Sequence, residues 1–352
     1  MRRGLTLGKF APFHRGHQRM METALAEVDE LVVMVYATDV TPVPLQVRAG
    51  WIRELYPTVR VIEAWDGPES YGDTPEICAE QEAYILKKLD GLRITHFYSG
   101  EFYGDHVSRA LGAVDRRIDP TRSVVPISGT ALRADAFAGR EYLAPRVYAD
   151  LITKVCFMGA PSTGKTTLAR ALAEQHQTVW MPEYGAQYWA AHQVDRRITL
   201  EQFEEIAPEH NRREDLLTLE SRRVLFCDTS PITTYVFAKD YHGCAGPVLT
   251  RLAREAEKRY DLFFLCEPDI PYADTWDRGG AQKRLWFQNQ IVGDLAQRRV
   301  PFFRVGGPLE ERISQVNAVL RQHRKFGNVL DLVQLRPPST KTTCGRMVDS
   351  PD

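Results

Sequence analysis

Residues 159–166 read Gly-Ala-Pro-Ser-Thr-Gly-Lys-Thr and lie between an apolar run, 155–158, and a helix-like run, 168–173. A Gly-x-x-x-x-Gly-Lys-Thr pattern between a strand and a helix is typical of a phosphate-binding loop. Its glycines allow backbone N–H groups to form a nest around phosphate, and the following helix adds its positive end. The flanking runs therefore favour this interpretation over a chance match in a turn.

The loop predicts a nucleotide site in which Lys165 reaches the β- and γ-phosphates of ATP and the Thr166 hydroxyl binds Mg²⁺. The predicted ATP-binding residues are Gly159, Ala160, Pro161, Ser162, Thr163, Gly164, Lys165, Thr166 and Thr167.

The position of the loop near the middle of a 352-residue chain predicts two domains. We place them at 1–150 and 151–324, followed by a polar, disordered tail at 325–352. A short structured connection at 138–151 joins the two domains.

Charge and cysteine usage narrow the class of protein. The chain has 45 basic and 46 acidic residues, which gives no bias toward nucleic acid or an anionic membrane. Its 6 cysteines are scattered without a Cys-x-x-Cys pair, which fits a reducing compartment. With no secretory signal and no apolar run of membrane-spanning length, we expect a cytoplasmic protein without membrane insertion.

The first half alternates strand-like and helix-like segments, which predicts an α/β fold with a parallel sheet covered on both faces. Ligands of such sheets bind beyond the carboxyl ends of the strands. The predicted strands are 5–10, 31–37, 59–65, 96–99 and 123–125, and the predicted helices are 20–28, 47–55 and 76–89.

The segment after the first predicted strand, residues 8–17, reads Gly-Lys-Phe-Ala-Pro-Phe-His-Arg-Gly-His. His14 and His17 are three positions apart at a helix start and can face one point, and Gly16 lets backbone N–H groups approach an anion there. A zinc site is disfavoured because no Cys, Asp or Glu partner is nearby. The plain alternative is a capped loop with two exposed histidines.

This Gly-x-Phe-x-Pro-x-His-x-Gly-His pattern resembles the signature of the nucleotidyltransferase superfamily, whose fold is Rossmann-like. A second signature, Ile-Ser-x-Thr-x-x-Arg, is similar to residues 127–133, Ile-Ser-Gly-Thr-Ala-Leu-Arg. Ser128 and Thr130 can cap a helix there, and Arg133 lies one turn in. Two signatures in the right order are more specific than either alone.

Residues 44–51 and 98–104 resemble the nicotinamide mononucleotide (NMN) adenylyltransferase domain of the NadR family. That family joins this domain to a phosphate-loop kinase acting on ribosylnicotinamide, and the resemblance covers roughly residues 3–320. Regulatory members also carry an N-terminal helix-turn-helix. Since this chain begins at the first predicted strand, we expect no such module and no repressor role.

The resemblance implies that the 5′-phosphate of NMN attacks the α-phosphate of ATP, giving NAD and pyrophosphate. His14, His17, Arg133 and Mg²⁺ would carry the phosphate charge, and Gly8, Lys9, Phe10, Gly16, Ser128 and Thr130 would bind the nucleotide. For NMN, second-rank candidates are Arg48, Trp51, Glu101 and Tyr103. Trp51 offers a face for stacking nicotinamide, although a buried core tryptophan explains it nearly as well.

In the second half, predicted strands at 178–181, 224–227, 262–266 and 301–305 end in polar residues. Asp228 is the first candidate for a Mg²⁺-organising or hydroxyl-activating carboxylate, and Glu183 is the second. A helix-cap role is the alternative for both, and spacing does not decide which one accepts the 5′-hydroxyl proton. Residues 228–235 and 268–272 resemble the NadR kinase domain.

Residues 274–284 form a polar, glycine-containing segment interpreted as a lid, with Arg278 and Arg284 as candidates to stabilise the transferring phosphoryl group. Thr275 and Trp276 depart from the family pattern, in which Asp-Gly precedes the first arginine. A solvated charge run is the alternative.

The sequence thus predicts a bifunctional NAD-salvage enzyme that uses ATP, NMN and ribosylnicotinamide and produces NAD. Other nucleotidyltransferase substrates, namely FMN, phosphopantetheine or a cytidylyltransferase substrate, remain open, as does another nucleoside for the kinase. A nucleotide-sensing regulator with weak turnover is the third interpretation. The oligomeric state, including a homo-oligomer, is left open.

Overall fold

The computed structural model describes residues 1–68, 72, 74–100, 104–271 and 280–327. It contains two five-stranded sheets, one in each half of the chain, and every strand pair in them is parallel. The predicted architecture of two parallel α/β domains is therefore confirmed.

The first half contains a sheet of order β3-β2-β1-β4-β5. Its elements are, in chain order, β1 (Arg3–Gly8), α1 (Arg15–Glu27), β2 (Glu30–Tyr36), α2 (Leu45–Leu55), β3 (Arg60–Ala64), α3 (Pro75–Leu89), β4 (His96–Ser99), α4 (Gly104–Leu111), β5 (Val114–Arg117) and α5 (Gly129–Ala134).

The second half contains a sheet of order β10-β9-β6-β8-β7. Its elements are α6 (Pro145–Leu151), β6 (Thr153–Met158), α7 (Lys165–Gln175), β7 (Trp180–Met181), α8 (Tyr184–His192), α9 (Leu200–Glu220), β8 (Val224–Asp228), α10 (Pro231–His242), α11 (Pro247–Glu255), β9 (Leu262–Cys266), α12 (Gly280–Arg298), β10 (Phe303–Val305) and α13 (Leu309–Gln322).

Apolar runs place the central strands in the core. Residues 31–35 of β2 are fully buried and residues 262–266 of β9 are buried, because helices cover both faces of each parallel sheet. The strand order reverses at β1 in the first sheet and at β6 in the second. Ligand sites of open α/β sheets lie beyond such reversal points, so the loops after β1 and β6 are the expected sites.

The prediction of a strand at 123–125 is wrong, because the last strand of the first sheet is β5 at Val114–Arg117. The N–H groups of residues 123, 124 and 125 are instead bonded to the Asp119 carboxylate, at 2.8, 3.2 and 2.9 Å. These N–H groups thus bond to the aspartate of a turn and not to a neighbouring strand. Strand β5 lies at the sheet edge, where Arg116 Nε donates to Glu27 over 2.9 Å.

Helix α6 connects the two halves and is bonded to both. On one side, Trp51 Nε1 of α2 donates to Asp150 Oδ2 over 2.8 Å, and Arg146 Nε donates to Glu54 Oε2 over 2.8 Å. On the other side, the Tyr148 hydroxyl donates to the Ser221 carbonyl over 2.6 Å. The connection is therefore a packed element of structure, as the sequence predicted for 138–151.

The predicted tail, 325–352, is described as far as residue 327. Lys325 Nζ lies 3.2 Å from Asp261 Oδ2, and Phe326 packs against the hydrophobic core. The rest of the predicted tail lies outside the described residues. Within the described part of the chain, no helix combines the length and apolar character needed to cross a membrane.

Candidate active sites

The histidine pair lies at the start of α1, directly beyond β1. His14 is the N-cap residue, and its Nδ1 accepts from the Gly16 N–H over 3.1 Å. His17 Nδ1 accepts from the His14 N–H over 3.3 Å, and the two ring centroids are 3.8 Å apart. Because both Nδ1 atoms accept, the proton of each neutral ring is on Nε2, and each ring has one N–H to donate to a ligand.

Both imidazoles are neutral at physiological pH. Burial, helped by the positive charge of Arg122, lowers the pKa of His14 to about 4. Burial, His14 and Arg122 hold the pKa of His17 well below its ordinary value. Sequence reasoning missed Arg122, which lies in the turn built on Asp119, because only the fold brings that turn to the histidines.

The second signature contacts the histidine loop. Arg133 Nη1 donates to the Ala11 carbonyl over 2.7 Å, and its Nη2 donates to Thr130 Oγ1 over 3.0 Å. A Cβ at Gly129 would lie 3.1 Å from the Ala11 carbonyl, so this approach favours glycine. Ser128 Oγ accepts from the Ala131 N–H over 3.1 Å and caps α5, as predicted. The two signatures therefore form one site.

The structure contradicts the proposed ligand contacts of Trp51 and of the Arg48 side chain. Trp51 is 1% exposed and is bonded to Asp150, so it has no open face for nicotinamide. Arg48 is 1% exposed, and its guanidinium donates to the Val43 carbonyl over 3.0 Å, the Tyr36 carbonyl over 2.9 Å and the Lys9 carbonyl. The Arg48 guanidinium therefore holds the segments that follow β1 and β2, and the Trp51 indole holds α6.

Phe10 is buried and packs edge-on against His17, with ring centroids 4.9 Å apart. It therefore orients the imidazole. Gly8, Lys9 and Gly16 lie in or beside the same loop, and their predicted contacts to nucleotide stay predictions. Glu101, Tyr103 and Arg278 lie outside the described residues.

The phosphate loop joins β6 to α7, as predicted. Gly159 has φ +139° and Gly164 has φ +82°, a region that side chains rarely adopt. A Cβ at Gly159 would lie 2.8 Å from the Cys266 carbonyl at the end of β9. Thr163 Oγ1 donates to the Ala160 carbonyl over 2.8 Å, which closes the loop on itself.

Lys165 is 7% exposed and lies inside the loop, where its Nζ donates to the Gly159 and Ala160 carbonyls, both at 3.0 Å. Thr166 begins the exposed side of α7, and its Oγ1 donates to Asp228 Oδ2 over 2.5 Å. Asp228 is fully buried at the carboxyl end of β8. Hydroxyl and carboxylate oxygens are the ligands that Mg²⁺ prefers, so this pair fits the predicted metal.

The two carboxylates predicted for the kinase half differ in setting. Glu183 is the N-cap residue of α8, just after β7, and its side chain makes no capping hydrogen bond. Strands β7 and β8 are neighbours, which brings Glu183 and Asp228 to the same edge of the sheet.

Arg284 of α12 donates to backbone carbonyls around the phosphate loop. The distances are 2.8 Å to Pro268, 3.0 Å to Ile270 and 3.3 Å to Ser162. Its predicted role at the transferring phosphoryl group stays a prediction.

Comparison with known proteins gives two family matches. A cytidylyltransferase-like family matches residues 5–135, and an AAA domain family matches residues 154–312. The trifunctional NAD biosynthesis/regulator protein NadR of Escherichia coli (strain K12) is 28% identical over 330 residues, covering 86% of this chain and 78% of the relative. A nicotinamide-nucleotide adenylyltransferase of Methanocorpusculum labreanum is 44% identical over 41 residues, which cover 12% of this chain and 24% of the relative.

Among solved structures, a NadR protein in complex with NAD and AMP-PNP matches with a TM-score of 0.54 and 21% identity, covering 91% of this chain and 95% of that one. At this identity the match shows the fold. Two family matches in succession, and NadR relatives aligned over 86% of the sequence, show that this chain joins a cytidylyltransferase-like domain to an AAA-type phosphate-loop domain and is similar to NadR over most of its length.

Proposed function

We propose that this protein is a bifunctional enzyme of NAD salvage, which phosphorylates ribosylnicotinamide to NMN and adenylylates NMN to NAD. The observation that carries the proposal is the presence of two unlike anion sites in one chain, a histidine pair after β1 and a phosphate loop after β6. The nature of the substrates is supported by the alignment with the NAD biosynthesis proteins over 86% of the chain.

In the first half, a phosphate oxygen of NMN attacks the α-phosphorus of ATP. The bond between the α-phosphorus and its bridging oxygen breaks, and pyrophosphate leaves with the electron pair. The Nε2–H groups of His14 and His17 donate to phosphate oxygens, and Arg133 adds positive charge across the same loop. The attacking group is already an anion, so alignment and charge stabilisation suffice.

In the second half, the 5′-hydroxyl oxygen of ribosylnicotinamide attacks the γ-phosphorus of ATP, and ADP leaves. The hydroxyl proton passes to a carboxylate. Because Asp228 is bonded to Thr166, we assign Asp228 to the metal and Glu183 to the proton. Thr166 and Asp228 would hold Mg²⁺, which neutralises phosphate charge.

Product analysis tests the proposal. The full chain is incubated with MgATP and, separately, with NMN, FMN, phosphopantetheine, choline phosphate or ribosylnicotinamide, and products are identified by mass. We expect NAD from NMN and NMN from ribosylnicotinamide. Adenylylation of FMN or phosphopantetheine in preference to NMN would contradict the substrate assignment. Turnover at background in every arm would favour a nucleotide-sensing protein.

A further inference from the structure

Gln288 lies in the middle of α12 and contacts the phosphate loop, although it is far from the loop in sequence. Its side chain is 4% exposed. Oε1 accepts from the Ala160 N–H over 2.7 Å, and Nε2 donates to the Cys266 carbonyl over 3.1 Å. One amide group thus bridges the second residue of the loop and the last residue of β9.

The bridge lies where the start of the loop closely approaches the end of β9. Gly159 is so close to β9 that a Cβ there would lie 2.8 Å from the same Cys266 carbonyl. The Gln288 amide binds the backbone on each side of this contact, because it offers a donor and an acceptor together while remaining neutral. A charged group would carry a large desolvation cost at this depth.

The far side of the loop is held in a similar way by two arginines. Arg312 Nη1 donates to the Thr163 carbonyl over 2.8 Å, and Arg284 Nη1 donates to the Ser162 carbonyl over 3.3 Å. In a trans peptide the C=O and the following N–H point in opposite directions. Donors outside the loop therefore turn the N–H groups of Thr163 and Gly164 toward its interior, which is the orientation that phosphate requires.

The contacts of Arg312 also hold other segments. Its guanidinium bonds to the Gly307 carbonyl at 2.7 Å, the Glu267 carbonyl at 3.1 Å and the Asp269 carboxylate. Replacing Arg312 would therefore disturb the segments after β9 and β10 as well as the loop. The Gln288 amide, in contrast, makes one contact at the start of the loop and one at the adjoining end of β9, so Gln288 is the anchor that can be removed selectively.

We propose that Gln288 is a positioning residue for phosphoryl transfer, which sets the shape of the phosphate loop from α12. The inference rests on the proposed kinase function of this half. Its consequence is specific. Loss of the bridge should weaken binding of the ATP phosphates in the kinase half, and it should leave nucleoside binding by the kinase and the activity of the adenylyltransferase half unchanged.

The test is Gln288→Met in the full chain, which keeps the side-chain length and removes both hydrogen bonds. We expect the KM for ATP in the kinase reaction to rise about tenfold and kcat to fall, because small displacements of a phosphate site are costly. The KM for ribosylnicotinamide and the rate of NMN adenylylation should stay within about twofold of wild type.

Two variants in the same helix serve as controls. Gln290 is exposed, so Gln290→Met should change neither reaction. Ile291 is fully buried in the core and makes no polar contact, so Ile291→Ala should lower the thermal midpoint without raising the KM for ATP. If Ile291→Ala raises that KM as much as Gln288→Met, the effect is one of stability and the proposal is wrong.

A binding measurement separates this proposal from the proposed function. A His14→Ala/His17→Ala background leaves the phosphate loop as the triphosphate site, and addition of Lys165→Ala defines zero binding. With AMP-PNP and Mg²⁺ as the probe, Gln288→Met should weaken binding about tenfold even if no nucleoside is ever phosphorylated. Affinity equal to that of the background protein would overturn the role of Gln288.

Discussion

The Thr166 hydroxyl donates to Asp228 over 2.5 Å and so joins the start of α7 to the end of β8. Asp228→Asn keeps an oxygen that accepts this bond but removes the negative charge. We expect ribosylnicotinamide phosphorylation to fall by about 100-fold or more, because the metal-organising charge is lost. NMN adenylylation, measured on the same preparation, should not change. A kinase rate within a few-fold of wild type would contradict the assignment of Asp228.

The two sites should be separable by single substitutions. Lys165→Ala removes the cation inside the phosphate loop and should abolish phosphorylation of ribosylnicotinamide while NMN adenylylation continues. His17→Ala should do the reverse, because it removes one Nε2–H donor of the first site. Each product is followed by mass. If either substitution silences both reactions in a folded protein, the two-site scheme is wrong.

The depressed pKa of His14 predicts that stability falls with acid. The pKa of His14 in the folded protein is about 4, which is below the ordinary pKa that it has in the unfolded chain. As the pH falls through that ordinary pKa, the unfolded chain takes up the proton first, and the folded state loses stability. When the pH falls from about 7.5 to about 5.5, the shifted pKa of His14 should lower the free energy of unfolding by about 1 kcal/mol.

Asparagine at position 14 tests this pH dependence, because it keeps a capping side chain and cannot titrate. In urea unfolding at the two pH values, His14→Asn should lose about 1 kcal/mol less than wild type on acidification. The exposed His192→Asn serves as the control and should behave as wild type. An unchanged pH dependence in His14→Asn would contradict the neutral, buried state of His14.

The buried position of Trp51 predicts a stability effect without a binding effect. Trp51→Phe removes the N–H that donates to the Asp150 carboxylate. Loss of this hydrogen bond should lower the free energy of unfolding in urea by about 1–3 kcal/mol. The KM for NMN should stay within about twofold, because the indole faces α6. A large rise in that KM would restore the stacking interpretation.

Glu214 of α9 anchors a buried charge cluster beneath the second sheet. Burial alone would raise the pKa of Glu214, but nearby His210, whose Nε2 lies 3.6 Å from Glu214 Oε2, and the charges of Arg259 and Lys154 lower it well below its ordinary value. Arg259 Nε donates to it over 2.7 Å and the Tyr260 hydroxyl over 2.7 Å.

Glu214→Gln leaves these cations without their buried partner and should cost about 3–5 kcal/mol of unfolding free energy near neutral pH. The stability from this depressed pKa is present above the unfolded pKa and is lost as pH falls through the acid range, so the difference should shrink in acid. Glu255→Gln breaks the exposed pair with Arg251 and should cost about 0–1 kcal/mol. Equal costs for the two variants would contradict the buried cluster.

The parts of the fold that could be predicted are those marked by a local sequence pattern. The phosphate loop, the histidine segment and the central strands each combine an apolar run with specific turn chemistry, and the structure confirms their placement. Strand β5 was missed because its sequence, Val-Asp-Arg-Arg, is that of an edge strand whose arginines form ion pairs. Periodicity carries little signal at such an edge.

Residues whose role depends on distant partners were the least predictable. Trp51 and Arg48 lie on one helix close to the site, but their contacts with Asp150 and with three carbonyls are set by tertiary packing. Gln288 and Arg312 lie more than 100 residues after the loop that they hold, in helices with no motif. No local pattern marks a side chain that acts on a backbone so far away.

Helix α6 has a consequence for how the protein can be divided. Val147 and Tyr148 are almost fully buried, while Asp150 and Arg146 are bonded to the first half and Tyr148 to the second. If the two halves are separated, one fragment keeps α6, and on the other fragment the surface that α6 buried is exposed to water. When the two halves are expressed separately, at least one fragment should therefore be poorly soluble and prone to aggregate. Joining them in one chain keeps this surface buried.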